Sequence, residues 1–250
     1  MTEQSAQSIW LRPERAARGP APEYDRDRIA AAGVALADAQ GLAAVTMRAV
    51  AVALGAGPAS LYRYVATRDE LLELMTDRVN GEISYAGLDG GHWLDDLLAL
   101  ARESRRVHLA HPWLSEAGAS RTSMGPHAVD YLDHAMAALA DLPVGPRVKL
   151  EAVGILNAVV AALTRAEIEQ RLAGKTMAQW QRAQAEYLAH VVEAGRHPHL
   201  SAVLTGTPPG ADEEPAEPLF DRLVTRVLIG LLHPEDTGRA GTSTRASGRG

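Results

Sequence analysis

The stretch TMRAVAVALGAGPASLYRYV, residues 46–65, places two short amphipathic segments on either side of Gly55-Ala56-Gly57. Thr46 suits a helix N-cap, and Met47, Val50, Ala51 and Leu54 recur at helical spacing, so one face of that segment is buried. Gly55 and Gly57 break the helix where the chain turns sharply, and Pro58 suits the first position of the next helix, which needs no N–H there. The second segment is predicted to run from Pro58 to Tyr64. This is either ordinary helix-turn-helix packing or a segment built to lie in a DNA groove.

The flanks extend the pattern. Ile29, Gly33, Leu36 and Ala37 predict a first helix of about 15 residues between Asp25 and Gly41. Thr67-Arg68-Asp69-Glu70 has the form of a capping box, followed by Leu71, Leu74, Met75 and Val79 on one face of a fourth helix. Beyond Gly81 the chain stays helical in character, with helices expected over roughly 92–110, 126–141, 146–171, 176–195 and 216–232. Residues 1–22 are polar and rich in Arg and Pro, and read as a flexible arm. The 205–218 stretch reads as a loop, and the tail from 235 as disordered.

The chain has 250 residues, 46% of them hydrophobic, and a net charge of −6. Residues 1–80 carry nine Arg against ten Asp and Glu, so that part is nearly neutral and a DNA-facing patch depends on where its arginines lie. Cysteine is absent, which excludes disulfides and thiolate metal sites. No long apolar run or signal-peptide core occurs, so a cytoplasmic protein without a membrane partner is expected. The sequence has no HExxH, GxSxG, P-loop or GxGxxG motif, so no enzyme, metal site or cofactor is predicted.

The ordered combination across residues 25–79 resembles the DNA-binding domain of TetR-family repressors. Asp25 to Gly41 is similar to the family's first helix, TMRAVAVALG to its second, GPASLYRYV to its recognition helix and TRDELLELMTDRV to its fourth. The resemblance implies an all-α fold with an N-terminal three-helix helix-turn-helix domain and a larger helical ligand-binding and dimerisation domain. The expected divisions are an arm over 1–22, a DNA-binding domain over 23–81, a ligand-binding and dimerisation domain over 82–234 and a tail over 235–250. The family often has Lys at the position of Arg68 and Phe at that of Val65.

Candidate DNA-contacting residues are Thr46, Arg48, Pro58, Ala59, Ser60, Tyr62, Arg63, Tyr64 and Arg68. Small residues permit close approach, phenols donate to phosphate and guanidinium groups form charged forks with it. Arg12, Arg15 and Arg18 are spaced for entry into an adjacent minor groove, with an inert tail as the alternative.

The segment HWLDDLLALARESRRVHLAHPWL resembles the opening of one regulatory-domain subgroup. That subgroup shares the SIW-x-x-PE pattern seen at Ser8 to Glu14 and includes regulators found beside antibiotic exporters. The resemblance implies a homodimer on a palindromic operator, released by a small molecule, an antibiotic or a biosynthetic intermediate. Such a regulator would control an efflux pump or antibiotic-biosynthesis genes.

Candidate effector contacts are Trp113, Met124, His127, Tyr131, His134, Leu156, Asn157, Val160, Thr164, Trp180 and Tyr187. His127, Tyr131 and His134 share a helical face, and Asn157 and Thr164 are isolated polar groups on an apolar helix. Residues 146–165 and 217–232 are apolar on more than one face and suit dimerisation. The alternative reading is a helical small-molecule-binding or interaction module that no longer reads DNA.

Overall fold

The computed structural model describes residues 8–12, 24–88, 90–117, 124–172, 186–193, 195–206 and 215–232, and all regular structure among them is helical. The first four helices are α1 (Arg26–Gln40), α2 (Met47–Ala53), α3 (Pro58–Leu61) and α4 (Arg68–Asn80), and together they make a head. A larger body follows, with α5 (Trp93–Ala110), α6 (Leu114–Ala117), α7 (Pro126–Ala138), α8 (Pro146–Leu172), α9 (Pro198–Gly206) and α10 (Ala216–Leu232). Residues 186–193 are also helical, while the rest of the helix expected over 176–195 lies largely outside the described residues.

Local chemistry sets the ends of the head helices. The Asp25 carboxylate accepts from the Arg28 N–H at 2.7 Å, and the Thr46 hydroxyl accepts from the Ala49 N–H at 3.1 Å. At the end of α2, Gly55 adopts φ 69°. Its N–H donates to the Val52 carbonyl and the Ala56 N–H to the Ala51 carbonyl, bonds to the last turn of α2 that accompany the reversal of the chain. Thr67 caps α4 as the sequence predicts, through the Glu70 N–H. The return bond differs, because the Glu70 carboxylate reaches one residue further back, to the Ala66 N–H at 2.7 Å.

α1 and α4 pack directly on each other. A Cβ on Gly33 would lie 2.7 Å from Met75 Sδ, so glycine is what lets the two helices close. Leu71, Met75 and Val79 are fully buried in that interface with Ile29 and Ala30. In the body, α5 is tied to both neighbours by forked ion pairs. Arg102 donates to Asp221 of α10 at 3.0 and 2.6 Å, and Arg105 donates to Glu167 of α8 at 3.0 Å through each of two nitrogens. α7 lies between α4 and α8.

The structure corrects four expectations. The recognition helix is a single turn, Pro58–Leu61, continued to Tyr64 only as irregular turns, in which the Arg63 and Tyr64 N–H groups bond three residues back, to the Ser60 and Leu61 carbonyls. α7 ends at Ala138 rather than near 141, where the chain turns on bonds from the Leu139 and Ala140 N–H groups. Helices α6 and α9 arise directly after His111-Pro112 and at Pro198, where the sequence shows only breaks; Pro198 occupies a first helical position instead of ending one.

Fourth, Ser8–Arg12 is not part of a free arm. It forms a 3-10 turn with Ile9 1% exposed in the core, and Arg26 of α1 holds it by donating to the Ile9 and Arg12 carbonyls at 2.8 and 3.0 Å.

Candidate nucleic-acid interface and effector site

α3 is too short to be stable through its own backbone bonds. Two anchors hold it in place, Leu61 and Val65, both fully buried in the head. With those two turned inward, the intervening residues face out. Tyr62 is 54% exposed, Arg63 and Ala59 are exposed, and Ser60 is partly so. Tyr64 is half-buried and packs against the core, so its ring serves the head's interior as well as its edge. Arg48 and Thr46 are exposed on the start of α2. The outward set of Thr46, Arg48, Ala59, Ser60, Tyr62 and Arg63 thus occupies α2 and α3 on either side of the turn, with Pro58 as the first residue of α3.

Two predicted DNA contacts are committed elsewhere. Arg12 forms an ion pair with Glu70 at 2.6 Å and is only 19% exposed, so its charge is spent within the head instead of in a groove. Arg68 donates to the Val45 and Leu42 carbonyls at 3.0 and 3.1 Å and braces the connection between α1 and α2. Its planar fork makes both bonds at once, which the single point of a Lys ammonium does less well. Arg15 and Arg18 lie outside the described residues.

A second cluster forms where α4, α5, α7 and α8 meet. Tyr131 is buried, its hydroxyl donating to Asn157 Oδ1 at 2.7 Å and also bonded to Ser104 of α5. Burial pushes that phenol up to about 12, so it stays a neutral donor. His134 stacks flat on Tyr85, with ring centroids 3.8 Å apart, and its Nδ1 is bonded to the Asp130 carbonyl. The Tyr85 hydroxyl is also pushed up, by burial and then by the charges of Asp130 and Asp77. His127 sits over Gly81, where a Cβ would come within 3.0 Å of its ring.

Of the predicted effector residues, the structure therefore gathers His127, Tyr131, His134 and Asn157. Tyr85 and Ser104 join them. Tyr85 was legible only as an aromatic in the Gly-flanked stretch between Gly81 and Gly91, and Ser104 gave no signal.

The other candidates separate from this cluster. Leu156 and Val160 are fully buried core residues. Thr164 is buried with its hydroxyl donating to the Val160 carbonyl at 2.7 Å, so its polar group is satisfied by its own helix and offers no handle. Trp113 is 2% exposed and donates its indole N–H to Asp38 of α1 at 2.7 Å, which makes it part of the head–body junction. Met124 and Tyr187 are exposed, at 55% and 64%. Trp180 lies outside the described residues.

One group joins the two sites. Asp77 of α4 is buried and accepts from the His127 and Ala128 N–H groups at 3.4 and 3.1 Å, so a head carboxylate caps the N-terminus of the helix that carries Tyr131 and His134. Burial raises the Asp77 pKa despite those two bonds.

Comparison with known proteins agrees with this division. Residues 29–75 match the family model for bacterial regulatory proteins of the tetR family, and residues 87–232 match that for the tetracyclin repressor-like C-terminal domain. The HTH-type transcriptional repressor DrrR1 of Streptomyces coeruleorubidus is 34% identical over 231 residues, covering 89% of this chain and 83% of that protein. Among solved structures, apo ActR from Streptomyces coelicolor superposes with a TM-score of 0.67 at 26% identity, covering 86% of this chain and 97% of that one. ActR in complex with (S)-DNPA gives 0.65 at 27% identity, covering 85% and 98%. These relatives are regulators of transcription and not enzymes. The chain belongs to the TetR family of transcriptional repressors, with an N-terminal helix-turn-helix head and a larger helical body.

Proposed function

We propose that the protein is a homodimeric repressor that binds a palindromic operator through the outward residues of α2 and α3 and is released by a small molecule held in the body. The observation that carries the reading is the division of labour at α3: Leu61 and Val65 are sunk in the core while Tyr62 and Arg63 stand in solvent at its end. Two such heads about 34–36 Å apart would meet successive major grooves.

The dimer is assigned to α8 and α10. Leu150 and Ile155 of α8 and Ile229 of α10 are large apolar residues left exposed, among small residues that allow helices to approach closely. A patch of this kind is a liability unless a second copy covers it. The effector is assigned to the Tyr85, Tyr131, His134 and Asn157 cluster, whose aromatic faces and single polar handles suit a partly apolar ligand such as an antibiotic or a biosynthetic intermediate. The regulated genes are inferred to encode an efflux pump or antibiotic-biosynthesis enzymes.

Footprinting with DNA from upstream of the protein's own gene and its neighbours tests the reading. A protected site with two-fold symmetry is expected, weakened by a ligand found in a thermal-shift screen of antibiotics. Indifference to all of that DNA would leave the helical ligand-binding module instead.

A further inference from the structure

The residues His111-Pro112-Trp113 at the end of α5 serve neither the outward face of α3 nor the Tyr131 cluster. Both aromatic side chains turn back to the head. His111 Nδ1 lies 2.8 Å from Asp38 Oδ1, and the Trp113 indole N–H donates to the same oxygen at 2.7 Å. The other ring nitrogen of His111, Nε2, lies 3.1 Å from Glu82 Oε2. Asp38 sits near the end of α1, and Glu82 follows α4, so the ring of a body residue is clamped between a carboxylate on the head and one on the turn that leads out of it. The His111 ring is buried and meets the Trp113 ring edge-on.

A carboxylate has lone pairs and no proton to give, so both imidazole nitrogens are satisfied only when both carry hydrogen. A neutral ring would aim one lone pair at a carboxylate oxygen. Burial by itself pushes the His111 pKa down, but the bonds and charges of Asp38 and Glu82 outweigh it and the net movement is upward. Asp38 from α1 and Glu82 from the turn after α4 are the charged groups that face the ring. On α5, Arg106 stands one step away, donating to the Glu82 carbonyl and pairing with Glu103.

We propose that His111, as an imidazolium, is the positioning residue that fixes the head against the body, and that loss of its proton frees the head to reorient. Trp113 then holds Asp38 alone, and Glu82 is released. The inference goes beyond the operator reading, because it concerns the joint between head and body and requires neither DNA nor effector.

The cysteine-free sequence makes a clean test possible. Spin labels on cysteines introduced at Val52 of α2 and Val129 of α7, both more than half exposed, report the head–body distance in full-length chains diluted with unlabelled protein. Proton NMR of the His111 ring follows its titration in the same pH 6–9 series. A narrow distance distribution is expected while His111 is charged, broadening with the midpoint of its titration, which lies above the ordinary value of about 6.5. In His111→Gln the distribution is broad and does not change with pH. In Glu82→Gln, a milder change at a half-exposed side chain, the midpoint moves toward 6.5. A His111 midpoint at or below 6.5, or a distance distribution unchanged through the titration, overturns the proposal, whatever the protein does with DNA.

Discussion

The carboxylate of Asp77 stands where the side chain of any residue but glycine at position 125 would have to go. A Cβ on Gly125 would lie 2.3 Å from the Asp77 carboxyl carbon and Oδ1, and 2.6 Å from Trp10 Cζ2. Gly125 has an ordinary extended backbone, φ −86° and ψ 178°, so the requirement is one of space and not of conformation. The N-terminal turn, the fourth head helix and the first turn of α7 thus meet at one point.

Gly125→Ala should therefore destabilise the protein by about 1–3 kcal/mol through overpacking. Asp77 is confined and cannot retreat cheaply, so the Trp10 side is expected to give way. Urea unfolding measures the loss, and a red shift in tryptophan emission below the unfolding transition would mark Trp10 leaving its seat.

Asp77→Ala removes the cap of α7 and leaves two N–H groups without their acceptor. A cost of about 1–2 kcal/mol is expected. Hydrogen exchange should quicken at His127 and Ala128 before it does in the middle of α8. Equal protection of α7 in variant and parent would contradict the capping role.

Ile9→Ala should cost about 2–5 kcal/mol, the range for emptying a closed core site. A free arm would tolerate the same change at no measurable cost, so a single denaturation curve separates the two descriptions of residues 8–12.

On DNA, the arginines should divide by their partners. Arg48→Ala and Arg63→Ala are each expected to reduce the slope of log affinity against log salt by ~0.9, one phosphate contact apiece. Arg12→Ala should leave the slope unchanged and lower stability instead, because it removes the ion-pair partner of the largely buried Glu70, which keeps the Ala66 N–H. A reduced slope for Arg12→Ala would restore it to the interface.

The pH dependence of stability carries its own sign. His111 has its pKa raised in the folded chain, so its contribution is fully present below the unfolded value of about 6.5 and is lost as pH rises through the folded value. The melting temperature should fall across that window in the parent protein. In His111→Gln this component of the slope should vanish, which calorimetry at matched ionic strength would register.

What the sequence disclosed and what it withheld follow a physical line. Thr46 and Thr67 cap helices through bonds three residues away, and Gly55 reverses the chain within its own turn, so short-range pattern was enough to place them. The head's architecture was legible for that reason. Residues whose role depends on distant partners were not. Trp113 reads as a pocket aromatic until Asp38, 75 positions earlier, is brought against it. Arg12 reads as a mobile cation until Glu70 arrives, and residues 8–12 as part of a polar arm until Arg26 pins the Ile9 carbonyl. Thr164 was misread differently: its position on the buried face was visible, but the direction of its hydroxyl, down its own helix, was not.

The single turn of α3 has an evolutionary consequence. Because its shape is imposed from beneath by two buried side chains, the residues that stand above carry almost none of the folding energy. On the operator reading proposed above, Ala59, Ser60, Tyr62 and Arg63 form an exchangeable alphabet on a fixed mount, through which descendants of this chain would acquire new target sequences without first having to regain a foldable protein.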